Sequence, residues 1–258
     1  MGASYFIGHG SPMLALQDIP YTQDIRRLGE QLGKPEAVIL FSAHWEKREQ
    51  SLTYTDSTYE TIYDFGGFPD ALFRVKYPAA GSKAIAEEVH ALLESAGIAS
   101  QYDTTRGLDH GAWVILKHLF PEADIPVITL SVNPYLPPAQ QYGIGQALAV
   151  LAEQRNIVII GSGATVHNFR KLDLREPDRV DDWAKEFDDW MIQHIQSWDT
   201  ASLFDYERLA PHAQDATPDQ EHFLPLFLAM GAGDKHRKPE LIHQSYQYRS
   251  LSNMILKF

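Results

Sequence analysis

A chain of 258 residues without a cysteine excludes disulfides, thiolate nucleophiles, iron–sulfur clusters and cysteine-held zinc, so any metal must be bound through nitrogen and oxygen. A net charge of −12, with no clustered basic stripe, speaks against nucleic acid as a partner. At 44% hydrophobic and 22% charged the composition is that of a soluble globular protein with a sizeable core.

No apolar run approaches the roughly 18 residues of a membrane span, and no secretory signal is visible, so no membrane partner and a cytoplasmic location are expected. In chain order, Tyr5–Ile7 reads as a short buried strand that stops at Gly8-His9-Gly10 and a Ser11-Pro12 turn. A helical pattern over 21–32 follows, then the β-branched run "AVILFSA" (37–43), which ends at His44. Residues 59–78 carry Tyr59, Tyr63, Phe65, Phe68, Phe73 and Tyr77 around the Gly66-Gly67 pair; this is either a wall over a flat ligand or a loop packed on its own aromatics. A helix over 81–97 stops at Gly97, and the glycine-bracketed "GLDHGAW" places His110 just before a helix over 112–119.

"IPVITLSV" (125–132) and "NIVIIGSG" (156–163) read as further buried strands, separated by a helix over 137–154. His167 lies a few residues past the second of them. Residues 178–198 have apolar positions at helical spacing with acids on the other face. A helix is predicted over 217–230, with Thr217 as N-cap, Pro218 at the first position and Gln220 completing a capping box; His222 then falls in its second turn, beside Glu221. The segment "ELIHQSYQYRSLSNMILKF" alternates and closes the chain as two strands. Without repeats or linker-like blocks, residues 1–258 read as one α/β domain with a largely parallel central sheet flanked by helices.

Ligands of such sheets bind beyond the carboxyl ends of the strands. His9, His44 and His167 are all delivered to that edge, and His110 and His222 join them as candidates, giving up to five imidazoles for one pocket. Neutral imidazole suits iron, zinc, copper and nickel. His90, His118, His194, His236 and His243 occupy helix faces or charged tails and are assigned to ordinary packing. "IVIIGSGATV" imitates a dinucleotide fingerprint, but its third small position falls on Val166 and no acidic ribose contact follows. "YDFGGFPD" holds the letters of a kinase metal motif without the accompanying phosphate loop, strand lysine or catalytic loop.

The motifs "GHGSPM", "FSAHW", "YDFGGFPDALFRVKYPAAGS", "GLDHGAW", "GSGATVHN" and "TPDQEHFLPLF", in this order, resemble the class III extradiol ring-cleaving dioxygenases, with the DOPA 4,5-dioxygenase-like branch as the nearest match. The resemblance runs from about residue 5 to the end of the chain. It implies a mononuclear non-haem metal, Fe(II) in the active enzyme with Zn(II) as an alternative in purified protein. The partners it implies are a small catechol, DOPA-like, and O2, with a muconic semialdehyde as product. His9, His44 and His222 are its implied metal ligands, His167 its acid/base and a possible additional ligand, and His110 its substrate contact. An ordinary imidazole, near pKa 6.5, suits the acid/base role at neutral pH. Other class III enzymes use two histidines and a carboxylate, which makes Glu221 the rival third ligand. The alternatives to ring cleavage are a zinc-dependent hydrolase, with Glu221 as base, and a non-catalytic metal-binding relative.

Overall fold

The runs of β-branched residues form the centre of one eight-stranded sheet in the computed structural model, which describes residues 3–177 and 179–258. Asp178, where the predicted fifth helix opens, lies outside the described residues. The strands are β1 (Ser4–Gly8), β2 (Ala37–Glu46), β3 (Gln50–Thr53), β4 (Ser100–Asp103), β5 (Val127–Val132), β6 (Ile157–Gly163), β7 (Glu240–Gln247) and β8 (Leu251–Lys257), in the spatial order β4-β3-β5-β2-β6-β1-β8-β7. β5, β2, β6 and β1 are mutually parallel; β8 runs antiparallel to β1, and β7 antiparallel to β8. The two strands expected at the end of the chain thus extend the sheet beyond β1.

Alternation along the central strands feeds two cores. Val38, Leu40, Val158 and Ile160 pack on the side of α1 (Pro20–Leu32) and α3 (His110–Leu119). Ile39, Phe41, Ile157 and Ile159 pack on the side of α2 (Lys83–Ser95) and α4 (Pro138–Gln154). Both faces are covered, which is why these strands read as continuous apolar runs. A further cluster forms around α5 (Asp182–Gln196) and α9 (Leu224–Ala232), the latter buried at every position. None of the described helices is long and apolar enough to cross a membrane.

Several expectations are corrected. β3 and β4 escape the sequence because they are short and polar: Gln50 and Ser51 are buried only by bonding Ser131 on β5, at 2.7 Å to its carbonyl and 2.9 Å to its hydroxyl. Three short helices, α6 (Thr200–Phe204), α7 (Tyr206–Leu209) and α8 (Ala213–Ala216), also went unpredicted. The helix predicted over 217–230 begins only at Leu224, as α9, so His222 precedes it in a turn rather than lying in its second turn. Thr217 closes α8 instead of opening a helix: its Oγ1 donates to the Ala213 carbonyl at 3.0 Å. The His222 carbonyl accepts from Ala164 N–H at 2.8 Å, past the end of β6, which takes it out of any helical ladder.

Candidate metal centre

β2, β6 and β1 lie side by side with their carboxyl ends aligned, and β6 carries only Gly161-Ser162-Gly163 at that end. A Cβ on Gly161 would lie 2.0 Å from the Pro225 carbonyl oxygen, and one on Gly163 2.0 Å from that of His222. The glycines of the dinucleotide look-alike therefore exist to let the 222–225 backbone rest on the strand end. That contact lowers His222 between His9, which follows β1, and His44, inside β2.

The result is a convergence of ring nitrogens. His44 Nε2 lies 3.0 Å from His9 Nε2 and 3.2 Å from His222 Nε2. The protonation of each ring follows from what its other nitrogen touches. Ser162 Oγ donates to the Gly111 carbonyl at 2.5 Å, so it must accept from His9 Nδ1–H at 3.0 Å. Glu221 Oε1 accepts from His222 Nδ1–H at 2.8 Å, and the Asp64 carboxylate, with Oδ2 3.4 Å from His44 Nδ1, is the charge that favours a proton on that nitrogen. All three Nε2 atoms are then bare lone pairs pointing at one another, an arrangement that repels unless a cation lies among them. Ligands about 2.0–2.1 Å from an ion sit roughly 3 Å apart when adjacent, which the observed spacings match. The donor set fits a metal.

Protonation does not relieve the crowding. Burial, reinforced by the neighbouring imidazoles, holds His9 and His222 well below the ordinary histidine range, and burial with His110 beside it holds His44 at about 3. Glu221, the rival third ligand, stands behind the His222 ring rather than among the nitrogens; burial, with Glu46 and Asp219 nearby, pushes it up.

His110 and His167 flank this trio. One donor atom each of His9, His44 and His110 lies within 4.8 Å of the others, as for His167, Glu221 and His222, and the His44–His222 contact joins the two groups. The His110 ring is 3.9 Å from that of His44, with Nδ1 on Asp64 Oδ1 at 2.9 Å. His167 stacks on His222, ring centres 3.5 Å apart and planes 10° apart. Burial and the nearby His44 and His110 pull His167 down to about 4, so the expectation of an ordinary imidazole is corrected: it is neutral at pH 7 but a weak base. Its loop is pinned throughout. Ala164 N–H and His167 N–H donate to the carbonyls of His222 and Ala216, and Thr165 Oγ1 donates to Ser252 Oγ at 2.9 Å.

The aromatic segment divides between both of its readings. Tyr59 and Tyr77 are buried anchors, bonded to the Val127 and Phe120 carbonyls. Tyr63, Phe65, Phe68 and Phe73 pack on one another, and Phe65 meets the His110 ring edge-on at 5.5 Å. On the opposite flank Phe169, 73% exposed, meets His167 at 4.5 Å. Sequence reasoning missed the supporting shell. Asp109 caps α3, accepts from Ser42 Oγ at 2.6 Å and holds Arg106 at 2.7 Å, which in turn donates to the His44 carbonyl at 3.1 Å. Asp109 preceding His110 was a readable N-cap; Asp64 and Ser162 gave no local signal.

Comparison with known proteins places these features in a wider set. The family described as the catalytic LigB subunit of aromatic ring-opening dioxygenase matches residues 3–258. The chain is 40% identical to the 4,5-DOPA dioxygenase extradiol of Beta vulgaris, over 99% of this chain and 96% of that one. It is 34% identical to the Escherichia coli protein of the same name, over 96% and 91%. A crystal structure of an uncharacterized protein from Escherichia coli K12 superposes with a TM-score of 0.83 at 29% identity, covering 99% of both chains.

Proposed function

Because the chain belongs to the family of the catalytic LigB subunit of aromatic ring-opening dioxygenases, we propose that it cleaves a DOPA-like catechol with O2, in the extradiol sense, to a muconic semialdehyde. The observation that carries the reading is the trio of bare Nε2 atoms at 3.0 and 3.2 Å. On this reading residues 1–258 act as one catalytic domain, and His9, His44 and His222 hold Fe(II), or Zn(II) in protein purified without iron. Fe(II) held there would supply Lewis acidity toward the catechol hydroxyls and the electrons that make dioxygen reactive.

The remaining chemistry belongs to the chain. His110 has its Nδ1–H committed to Asp64, so its Nε2 accepts a hydrogen bond and orients a substrate hydroxyl. His167, neutral and unbonded at its ring among the described residues, takes the proton of a hydroxyl and returns it as the ring opens. Its pKa near 4 rises when an anionic catecholate arrives, because the negative charge favours the imidazolium. Phe65 and Phe169, on opposite flanks, bracket the cluster with aromatic surface suited to a flat ring.

The test is oxygen uptake by anaerobically Fe(II)-loaded protein on addition of L-DOPA, with the visible spectrum followed. Stoichiometric uptake with a yellow product is expected. No uptake across several catechols, with iron verified in the protein, refutes ring cleavage.

A further inference from the structure

The carboxylate of Asp64 is shared between two histidines that serve different partners. Its Oδ1 accepts from His110 Nδ1–H at 2.9 Å and from the His110 backbone N–H at 3.1 Å; its Oδ2 faces His44 Nδ1 at 3.4 Å. The chain brings it there deliberately. Residues 60–62 run beside 107–108, with Leu108 N–H donating to the Glu60 carbonyl and Ile62 N–H to that of Leu108. Trp113 Nε1–H donates to the Ile62 carbonyl at 2.9 Å, and Thr61 Oγ1 accepts from Tyr77 N–H at 3.2 Å. The approach is so close that a Cβ on Gly107 would lie 2.2 Å from the Glu60 oxygen. Asp64 is the last residue of this strip before Phe65, which itself touches the His110 ring.

We propose that Asp64 is a positioning residue that sets the His44 ring toward the metal and the His110 ring toward the substrate with one carboxylate. The role requires two acceptor oxygens. An asparagine in either orientation presents an NH2 group to one of the two Nδ1–H donors, so it satisfies one histidine and repels the other. Glu30, exposed on α1 and outside the histidine cluster, supplies the control for a lost carboxylate.

Zn(II) affinity of metal-free protein, measured by competition with a chromogenic chelator, tests the His44 arm independently of turnover. Asp64→Asn should weaken Zn(II) binding about 10–100-fold, the usual effect of losing a partner behind a ligating imidazole, while Glu30→Gln matches the wild type. The His110 arm rests on the ring-cleavage reading: in Fe(II)-loaded protein Asp64→Asn should raise KM for L-DOPA and lower kcat, whereas Glu30→Gln leaves KM unchanged. Thermal unfolding of the metal-free Asn variant should match the wild type, which separates positioning from collapse of the loop; Asp64→Ala is the harsher companion. Zn(II) affinity of Asp64→Asn within twofold of the wild type overturns the proposal, as does an unchanged KM with Zn(II) binding weakened equally in both variants. An inactive wild type counts against ring cleavage and leaves the Zn(II) comparison standing.

Discussion

The histidines on the two sides of His44 are held by different means. His9, His44 and His110 each turn Nδ1 to a fixed oxygen, of Ser162 for the first and Asp64 for the other two, and they stand just past a strand, within a strand and at a capped helix end. His222 and His167 stand in segments between elements, stacked face to face; Glu221 still holds His222 Nδ1 at 2.8 Å, whereas among the described residues the His167 ring makes no hydrogen bond at all. A ring locked by a hydrogen bond keeps its lone pair aimed, which suits a ligand. A ring held by stacking alone keeps both nitrogens free to exchange protons. On the proposed function, the rings that hold the metal are the ones fixed through Nδ1, and the free His167 ring is the one that moves protons.

The largest effect expected is on the locked side. His9→Ala or His44→Ala should abolish metal binding, read as metal content after loading and desalting; full retention in either variant removes the trio as the metal face. On the stacked side His167→Ala should keep its metal yet lose turnover on the order of 10²–10⁴-fold, and normal turnover would move the acid/base role elsewhere.

The support of the stacked side can be broken without touching a histidine. Gly163→Ala forces a methyl against the His222 carbonyl and should cost about 1–3 kcal/mol of stability, with Zn(II) affinity falling as His222 is pushed outward. Unchanged melting and affinity would show that the 222–225 backbone yields freely.

The narrowest effect, confined to acid pH, concerns Asp188 on α5. It accepts from Ser252 and Tyr246 at 2.7 and 2.8 Å, and Ser252 in turn holds Thr165 in the His167 loop. Burial pushes Asp188 up to about 6 against the hydrogen bonds of Thr165, Ser252 and Tyr246. Between about pH 4 and 6 the folded protein then keeps a proton that the unfolded chain has released. Stability falls as pH rises through that window and is level above it, by roughly 3 kcal/mol from this group. Urea unfolding of metal-free protein at pH 4.5 and 7 should show that Asp188→Asn removes this part of the fall; an identical pH dependence in the variant would refute it.

What could be read from the sequence follows the same division. β-branched runs at 37–43, 125–132 and 156–163 announce strands buried on both faces, and a histidine stopping such a run, as His9 and His44 do, is already placed at the carboxyl edge. His222 was found as a residue but misplaced as structure, because Thr217, Pro218 and Gln220 carry every local sign of a helix start. The competing partner for its carbonyl, Ala164 N–H, lies 58 residues away in sequence, and no local rule sees it. Asp64 was hidden for a related reason: its meaning depends on a pairing with residues 107–110 that nothing in "YDFGG" announces. β3 went unread because hydrogen bonds to Ser131, rather than apolar side chains, make its burial tolerable.

The place of β1 in the sheet has a consequence for the order in which the molecule is made. Its two neighbours are β6, residues 157–163, and β8, residues 251–257, with Tyr5 opposite Lys257. On the ribosome the strand bearing His9 therefore emerges with neither edge covered; one edge waits for residues 157–163 and the other for residues 251–257. The segment with His222 is likewise late. A nascent chain cannot assemble the three-nitrogen face early and trap an ion in a half-built sheet, so metal capture becomes an event of the finished fold.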